Sequence, residues 1–136
     1  MEGFRFVLSQ PVVLRDLDGF GHVNNAVYMT YIENARVAYL WDVVDATSID
    51  KIRNIIAGVT LEFRAPATYG ETIEVGTRVD RIGTKSFAFR HEIRTSDGRL
   101  LAEASTTQVM YDYEREQTVP VPEDWRRLID AYEGRA

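Results

Sequence analysis

A chain of 136 residues with no cysteine and a net charge of −5 narrows the chemistry before any motif is read. It has no thiol nucleophile, no cysteine-based metal site and no redox switch. Its acidic balance argues against a nucleic-acid partner, but leaves room for a local basic patch that takes a small anion. The length suits one domain, able to bury roughly two thirds of its unfolded surface without a disulfide or structural metal. Residues 1–5 lack the long apolar region of a signal peptide, and no apolar run approaches membrane-spanning length. A cytoplasmic protein is the expectation.

Residues 4–14 read as a first strand, with Pro11 marking an edge or a bulge because proline donates no amide hydrogen. Residues 15–25 form a polar, glycine-punctuated loop that carries Asp16, Asp18 and His22. From 26 to 44 only Thr30, Glu33, Asn34, Arg36 and Asp42 interrupt an apolar run, which predicts a helix. At about 100° per residue, Tyr28, Ile32, Ala35, Tyr39 and Val43 share one face, the main buried stripe. Val37, Leu40, Trp41 and Val44 fall opposite. A helix apolar nearly all round is one that the protein wraps, and the second cluster predicts an interface. Asp18 is expected just before the helix start, where free backbone N–H groups favour negative charge.

Residues 46–54 read as a loop or short helical turn. Val59, Leu61 and Phe63 then alternate with polar neighbours in a strand stopped by Pro66. After the Tyr69-Gly70-Glu71 turn, Ile73, Val75 and Val79 alternate up to Ile82. Gly83-Thr84 leads to Phe87, Phe89 and Ile93, and Ser96-Asp97-Gly98-Arg99 is a hairpin signal before a last long strand, 100–113. Pro122-Glu123-Asp124 opens a terminal helix through Trp125, Leu128, Ile129 and Tyr132. Strand, long helix, four consecutive strands and a short helix predict an α+β fold. In it an antiparallel sheet of about five strands holds one helix on its concave face.

The string Arg15-x-x-Asp18-x-x-Gly21-His22-Val23-Asn24-Asn25-x-x-Tyr28 resembles the signature of the 4-hydroxybenzoyl-CoA thioesterase-like branch of the hot-dog fold acyl-CoA thioesterases. Glu33-x-x-Arg36, Phe63-Arg64-Ala65-Pro66 and Gly83-Thr84-Lys85-Ser86-Phe87 follow in the same order, covering about 10–110. The resemblance implies a hot-dog fold over the whole chain and hydrolysis of an acyl-CoA to a carboxylic acid and CoA, with no cofactor. It implies that Asp18 is nucleophile or general base, and that a backbone amide at the helix start, by position that of Asn25, polarises the thioester carbonyl. Lys85 and Ser86 match positions that touch the CoA phosphates, and Arg64, Arg81 and Arg90 are candidates to complete a basic patch there. The resemblance also implies a homodimer or homotetramer with the active site between subunits.

His22 has two readings, holding a water or tuning Asp18 on one side and bonding a neighbouring carbonyl on the other. Asp16 reads as structural or electrostatic. Gly19 and Gly21 would let the backbone approach the acyl group. His91, on the face of Phe87, Phe89 and Ile93, reads as a satisfied core residue. His22, Asn24 and Asn25 stand where the benzoyl-type enzymes carry bulkier apolar and aromatic residues, which favours aliphatic over aromatic acyl groups. An acyl-carrier protein is a second possible source of the thioester. Two rivals stay open, a hot-dog dehydratase using His22 with Glu33 and a non-catalytic acyl-CoA-binding protein. No Gly-x-Ser-x-Gly elbow is present, the third glycine of a dinucleotide loop is missing, and two distant histidines give no zinc motif.

Overall fold

A computed structural model describes residues 1–135. Strand β1 (Phe6–Pro11) is followed by a 3-10 turn (Leu14–Asp16) and helix α1 (Val27–Val43). A second 3-10 turn (Ile49–Lys51) precedes β2 (Asn54–Phe63), β3 (Thr72–Ile82), β4 (Ser86–Thr95) and β5 (Leu100–Asp112). A short β6 (Gln117–Thr118) and helix α2 (Glu123–Glu133) complete the fold. The strands form one antiparallel sheet in the order β1-β3-β4-β5-β2, with β6 added to β5. Short turns join β3, β4 and β5, so each pairs with the next; β2 pairs back onto β5 and becomes an edge.

Alternation puts Ile73, Val75 and Val79 of β3 and Phe87, Phe89 and Ile93 of β4 on the inner face, all buried. Register shifts at Val79/Arg81, Ile93/Arg94 and Ile56/Gly58 mark bulges, which bend strands and raise their twist. The curled sheet takes α1 on its concave side. Tyr28, Ile32, Ala35 and Tyr39 are buried there as the helical period requires, Ile32 by itself contributing about 1.5–3 kcal/mol. The N-terminal half of α1 packs with Val12, Val23, Ala67, Ile73 and Leu101, and the C-terminal half with Phe87, Phe89, Trp125 and Ile129.

Three expectations change. Leu40 and Val44 are buried within the chain, because α2 closes over that flank of α1; of the cluster expected to face outward, Trp41 is 45% exposed and Val37 half-buried. Strand β2 buries neither of its faces well: Val59 and Phe63 are exposed and Leu61 half-buried, since an edge strand reaches past the single helix that could cover it. The first strand ends at Pro11 rather than at 14. Beyond it the Val12 amide still bonds the Glu71 carbonyl, and the chain then turns as the Asp16 amide bonds the Val13 carbonyl.

Helix α2 straps the β3–β4 turn. Arg126 donates to the carbonyls of Gly83 and Thr84, and Glu133 accepts from the Tyr39 hydroxyl at 2.7 Å and the Val79 amide at 3.0 Å. Gly134 ends the helix in the left-handed conformation, φ 79°.

Candidate active site

The loop between β1 and α1 folds back on itself. Leu17 bridges Val23, the Asp18 amide bonds the His22 carbonyl at 2.8 Å, and the Gly21 amide bonds the Asp18 carbonyl at 3.2 Å. Closing this hairpin needs a left-handed residue, and Gly21 supplies it at φ 83°. The hairpin docks on the segment after β2, with His22 bridging Thr68 and the Val23 amide bonded to the Ala67 carbonyl at 2.8 Å. Thr68 is itself tied down: Glu71 accepts both its amide and its hydroxyl at 2.9 Å and pairs with Arg99 at 2.8 Å. Burial pushes the Glu71 carboxyl up, but the Thr68 donors and the Arg99 guanidinium outweigh it and hold it below the ordinary value.

Asp18 is half-buried within the hairpin. Its Oδ1 accepts the Phe20 amide at 2.8 Å and, more weakly, the His22 amide at 3.4 Å. No donor among the described residues reaches Oδ2. One oxygen therefore fixes the carboxylate while the other stays open. Asp18 does not cap α1, which begins at Val27; residues 19–26 lie between, because the glycines close a hairpin before the helix can start. The helix entry is built by Asn24. Its side chain accepts the Ala26 amide at 2.9 Å, its carbonyl accepts the Val27 amide at 2.8 Å, and its own amide bonds the Asp16 carbonyl at 2.8 Å. The Asn25 carbonyl takes the Tyr28 amide at 3.3 Å, whereas its N–H meets no acceptor among the described residues. That amide is a free donor at the positive end of a helix.

His22 meets Asp18 through its backbone; its exposed ring has no partner among the described residues. Glu33 lies two turns into α1, in an ion pair of 3.7 Å with the buried Arg36, beside a groove of about 540 Å³ that Val37 and Trp41 also line. No contact joins Glu33 to His22.

Lys85 is exposed on the turn before β4 and Ser86 is the half-buried first residue of that strand. The Lys85 carbonyl accepts the Met110 amide at 3.0 Å, and the Gly83 amide bonds the Ser86 carbonyl at 2.7 Å. Arg64 sits at the other end of the sheet, its amide bonded to the Leu101 carbonyl at 2.8 Å. From 101 to 110 along β5 is about 30 Å at ~3.3 Å per residue. One chain thus gathers Asp18, Asn25 and Arg64 at one end and Lys85, Ser86 and Arg81 at the other. The guanidinium of Arg64 is taken up by Glu62 at 2.6 Å and Glu103 at 3.1 Å. Arg90 shares a surface groove with Arg64, Glu62, Glu103 and Asp80, so no single basic patch forms around Lys85 within a chain.

His91 is only half satisfied. Its Nδ1 lies 3.0 Å from the Thr77 hydroxyl, and its buried Nε2 has no partner among the described residues. Burial, with the nearby Arg36 cation adding to it, pushes the imidazole down to about 3, so it is neutral at ordinary pH. Tyr31 belongs to the site although its place in the sequence does not announce it: its buried hydroxyl donates to Asp16 Oδ2 at 2.8 Å. An aromatic within a helix apolar nearly all round carries no signal that its one polar atom holds a loop.

A curled antiparallel sheet around one long helix, with an aspartate hairpin at the helix entry, defines a hot-dog fold protein. Residues 12–129 match the model of the thioesterase-like superfamily, and the chain belongs to that family. It is 22% identical over 121 residues to the long-chain acyl-CoA thioesterase FadM of Escherichia coli (strain K12), covering 84% of this chain and 89% of that one. The crystal structure of a thioesterase from Thermus thermophilus, complexed with coenzyme A and Zn, superposes with a TM-score of 0.87 at 32% identity, covering 100% of this chain and 99% of the other. 4-Hydroxybenzoyl CoA thioesterase, at 22% identity and a TM-score of 0.79 over 90% of this chain and 96% of its own, shares the fold.

Proposed function

We propose that this chain is an acyl-CoA thioesterase in which Asp18 acts on the thioester carbonyl while the Asn25 amide stabilises the developing oxyanion. The observation that carries the reading is the state of Asp18: one carboxylate oxygen held by two backbone amides, the other open. A group held in this way need not reorganise as charge develops, and a preset oxyanion donor of the Asn25 kind is worth roughly 3–4 kcal/mol. Asp18 Oδ2 takes a proton from an attacking water, or itself attacks to give an acyl-aspartate that water then opens. On either route the C–S bond breaks, the CoA thiolate is protonated, and a carboxylic acid leaves. The CoA bound to the Thermus relative and the activity in FadM's name support CoA as the carrier and an aliphatic chain as the acyl group.

Lys85 and Ser86 are assigned to the CoA phosphates, and about 30 Å of strand β5 lies between their end of the chain and the Asp18 end. The reading therefore takes the working unit to be a homodimer, or a tetramer of dimers, in which one copy supplies Asp18 and its partner the Lys85 turn. The open edge of β2 and the groove beside Trp41 support a second copy as neighbour. No helix among the described residues is long and apolar enough to cross a membrane, and we assign the enzyme to the cytoplasm. The proposed hydrolysis calls on no metal or redox cofactor. Thiol release over a panel of acyl-CoAs, with wild type and Asp18→Asn side by side, tests the reading. A single turnover in ¹⁸O-water tests for the covalent route: label in the protein requires an acyl-aspartate opened by water at the aspartyl carbonyl, whereas hydrolysis at the acyl carbonyl, on either route, puts the label in the released acid.

A further inference from the structure

We propose that Tyr31 and Asp16 are positioning residues that lock the Asp18 hairpin to α1, an inference that rests on the thioesterase reading of Asp18. Asp16 is a buried carboxylate two residues before Asp18. Its Oδ2 accepts the Tyr31 hydroxyl at 2.8 Å and the Val13 amide at 3.0 Å, and its carbonyl accepts the Asn24 amide at 2.8 Å. One residue thereby ties together the exit from β1, the second turn of α1, and the limb of the loop that leads to Asn25.

Tyr31 is a fixed post. It is buried, its carbonyl accepts Gln10 Nε2 at 3.0 Å, and its ring meets Tyr28 edge-on at 5.9 Å. Gln10 is held in turn by Asn34, which donates to its Oε1 at 2.9 Å. Burial, and then the adjacent Asp16 carboxylate, push the Tyr31 phenol well above its ordinary range, so the hydroxyl remains a donor. The hairpin tip has little else to hold it. Gly19, Phe20, Gly21 and His22 are exposed; apart from the Asp18 carboxylate's own bonds to the Phe20 and His22 amides, the hairpin is held by backbone bonds within it and to residues 67 and 68 and by the buried Val23 at its base. A buried carboxylate without its donors would be drawn toward water, and it would carry Asp18 with it. A misplacement of about 1 Å costs a reacting group on the order of 100-fold in rate.

The test compares kcat and KM of Tyr31→Phe, Asp16→Ala, Asp16→Asn and Asp18→Asn, each corrected to the folded fraction from its thermal melt. Tyr31→Phe and Asp16→Ala should lower kcat by roughly 10- to 100-fold with KM within about threefold. Asp16→Asn keeps an acceptor oxygen for both donors and should recover to within about fivefold of wild type. A role in folding alone would change the folded fraction and leave turnover per folded site intact. Wild-type kcat in Tyr31→Phe beside an inactive Asp18→Asn overturns the proposal and spares the thioesterase reading; a fully active Asp18→Asn overturns that reading instead. Asp16→Asn as inactive as Asp18→Asn also overturns it, since the Asp16 charge would then belong to the chemistry. If Tyr31→Phe does not fold, the Asp16→Ala and Asp16→Asn pair decides, and equal kcat values refute positioning.

Discussion

Replacing Asp18 by Asn is the sharpest perturbation the hairpin allows. The amide oxygen can keep the bonds from Phe20 and His22, of 2.8 and 3.4 Å, so the loop loses charge assistance but not its acceptor. A hydrogen bond to a charged group is worth roughly 1.5–3 kcal/mol against about 1 for a neutral pair. Asp18 is half-buried and the second bond is long, so the stability cost should be about 1 kcal/mol, a few degrees in Tm. Activity should respond on another scale. The open oxygen becomes an NH₂ group that neither accepts a proton nor attacks a carbonyl, and kcat should fall by roughly 10²–10⁴, further if the carboxylate is the nucleophile. That is about 2.7–5.5 kcal/mol of lost transition-state stabilisation. The assay is thiol release under saturating acyl-CoA, paired with a thermal melt of the same preparation. A kcat within about threefold of wild type, ~0.7 kcal/mol, is too small for the principal catalytic group and would refute the assignment.

Lys85→Ala should raise KM with kcat near wild type, and added salt should weaken wild-type binding more than the mutant's; equal salt dependence would make Lys85 an ordinary surface residue. Mixing inactive Asp18→Asn with Lys85→Ala after subunit exchange should restore low-KM turnover to about a quarter of wild type, because half the dimers then hold one intact site of two. No recovery would place both residues in one chain's site. Trp41→Glu should shift light scattering from dimer or tetramer toward monomer and remove activity with it; an active monomer at micromolar concentration contradicts the composite site. The buried imidazole of His91 is pushed down to about 3 from 6.5, so between those values the unfolded chain binds a proton that the folded chain does not. Stability should therefore fall as pH drops through that window, by up to about 1.4 kcal/mol per unit. His91→Gln should flatten the slope by as much as one proton, and an unchanged slope in urea titrations at several pH values would disprove the attribution.

Much of the fold is local, and local physics is written in the sequence. The apolar run 26–44 and the observed α1 differ by one residue at each end, since both are set by where side chains stop favouring a buried helix. The strands β3 to β5 follow their alternation because each pairs with its sequence neighbour. Where the pattern failed, distant elements decided. The alternation of Val59, Leu61 and Phe63 is real, but whether either face is covered depends on β2 returning to the outside of β5. Leu40 and Val44 lie opposite the main stripe and are still buried, because a helix some eighty residues later packs on them.

The candidate site divides along the same line. Asp18 and Asn25 were legible as residues within one short motif. What the motif could not carry was their environment, since a carboxylate near a helix suggests a cap, while the glycines of 19–21 turn the chain back first and place Asp18 in a hairpin. Charge was the least legible property. Arg64 reads as a free cation until β2 pairs with β5 and sets Glu62 opposite Glu103, where both carboxylates reach it. Lys85 lies on a turn with no carboxylate within ion-pair distance among the described residues, so its charge remains available to a ligand. Spacing in a chain can nominate a cation for a phosphate, but strand order decides whether that cation is already spent on a neighbour.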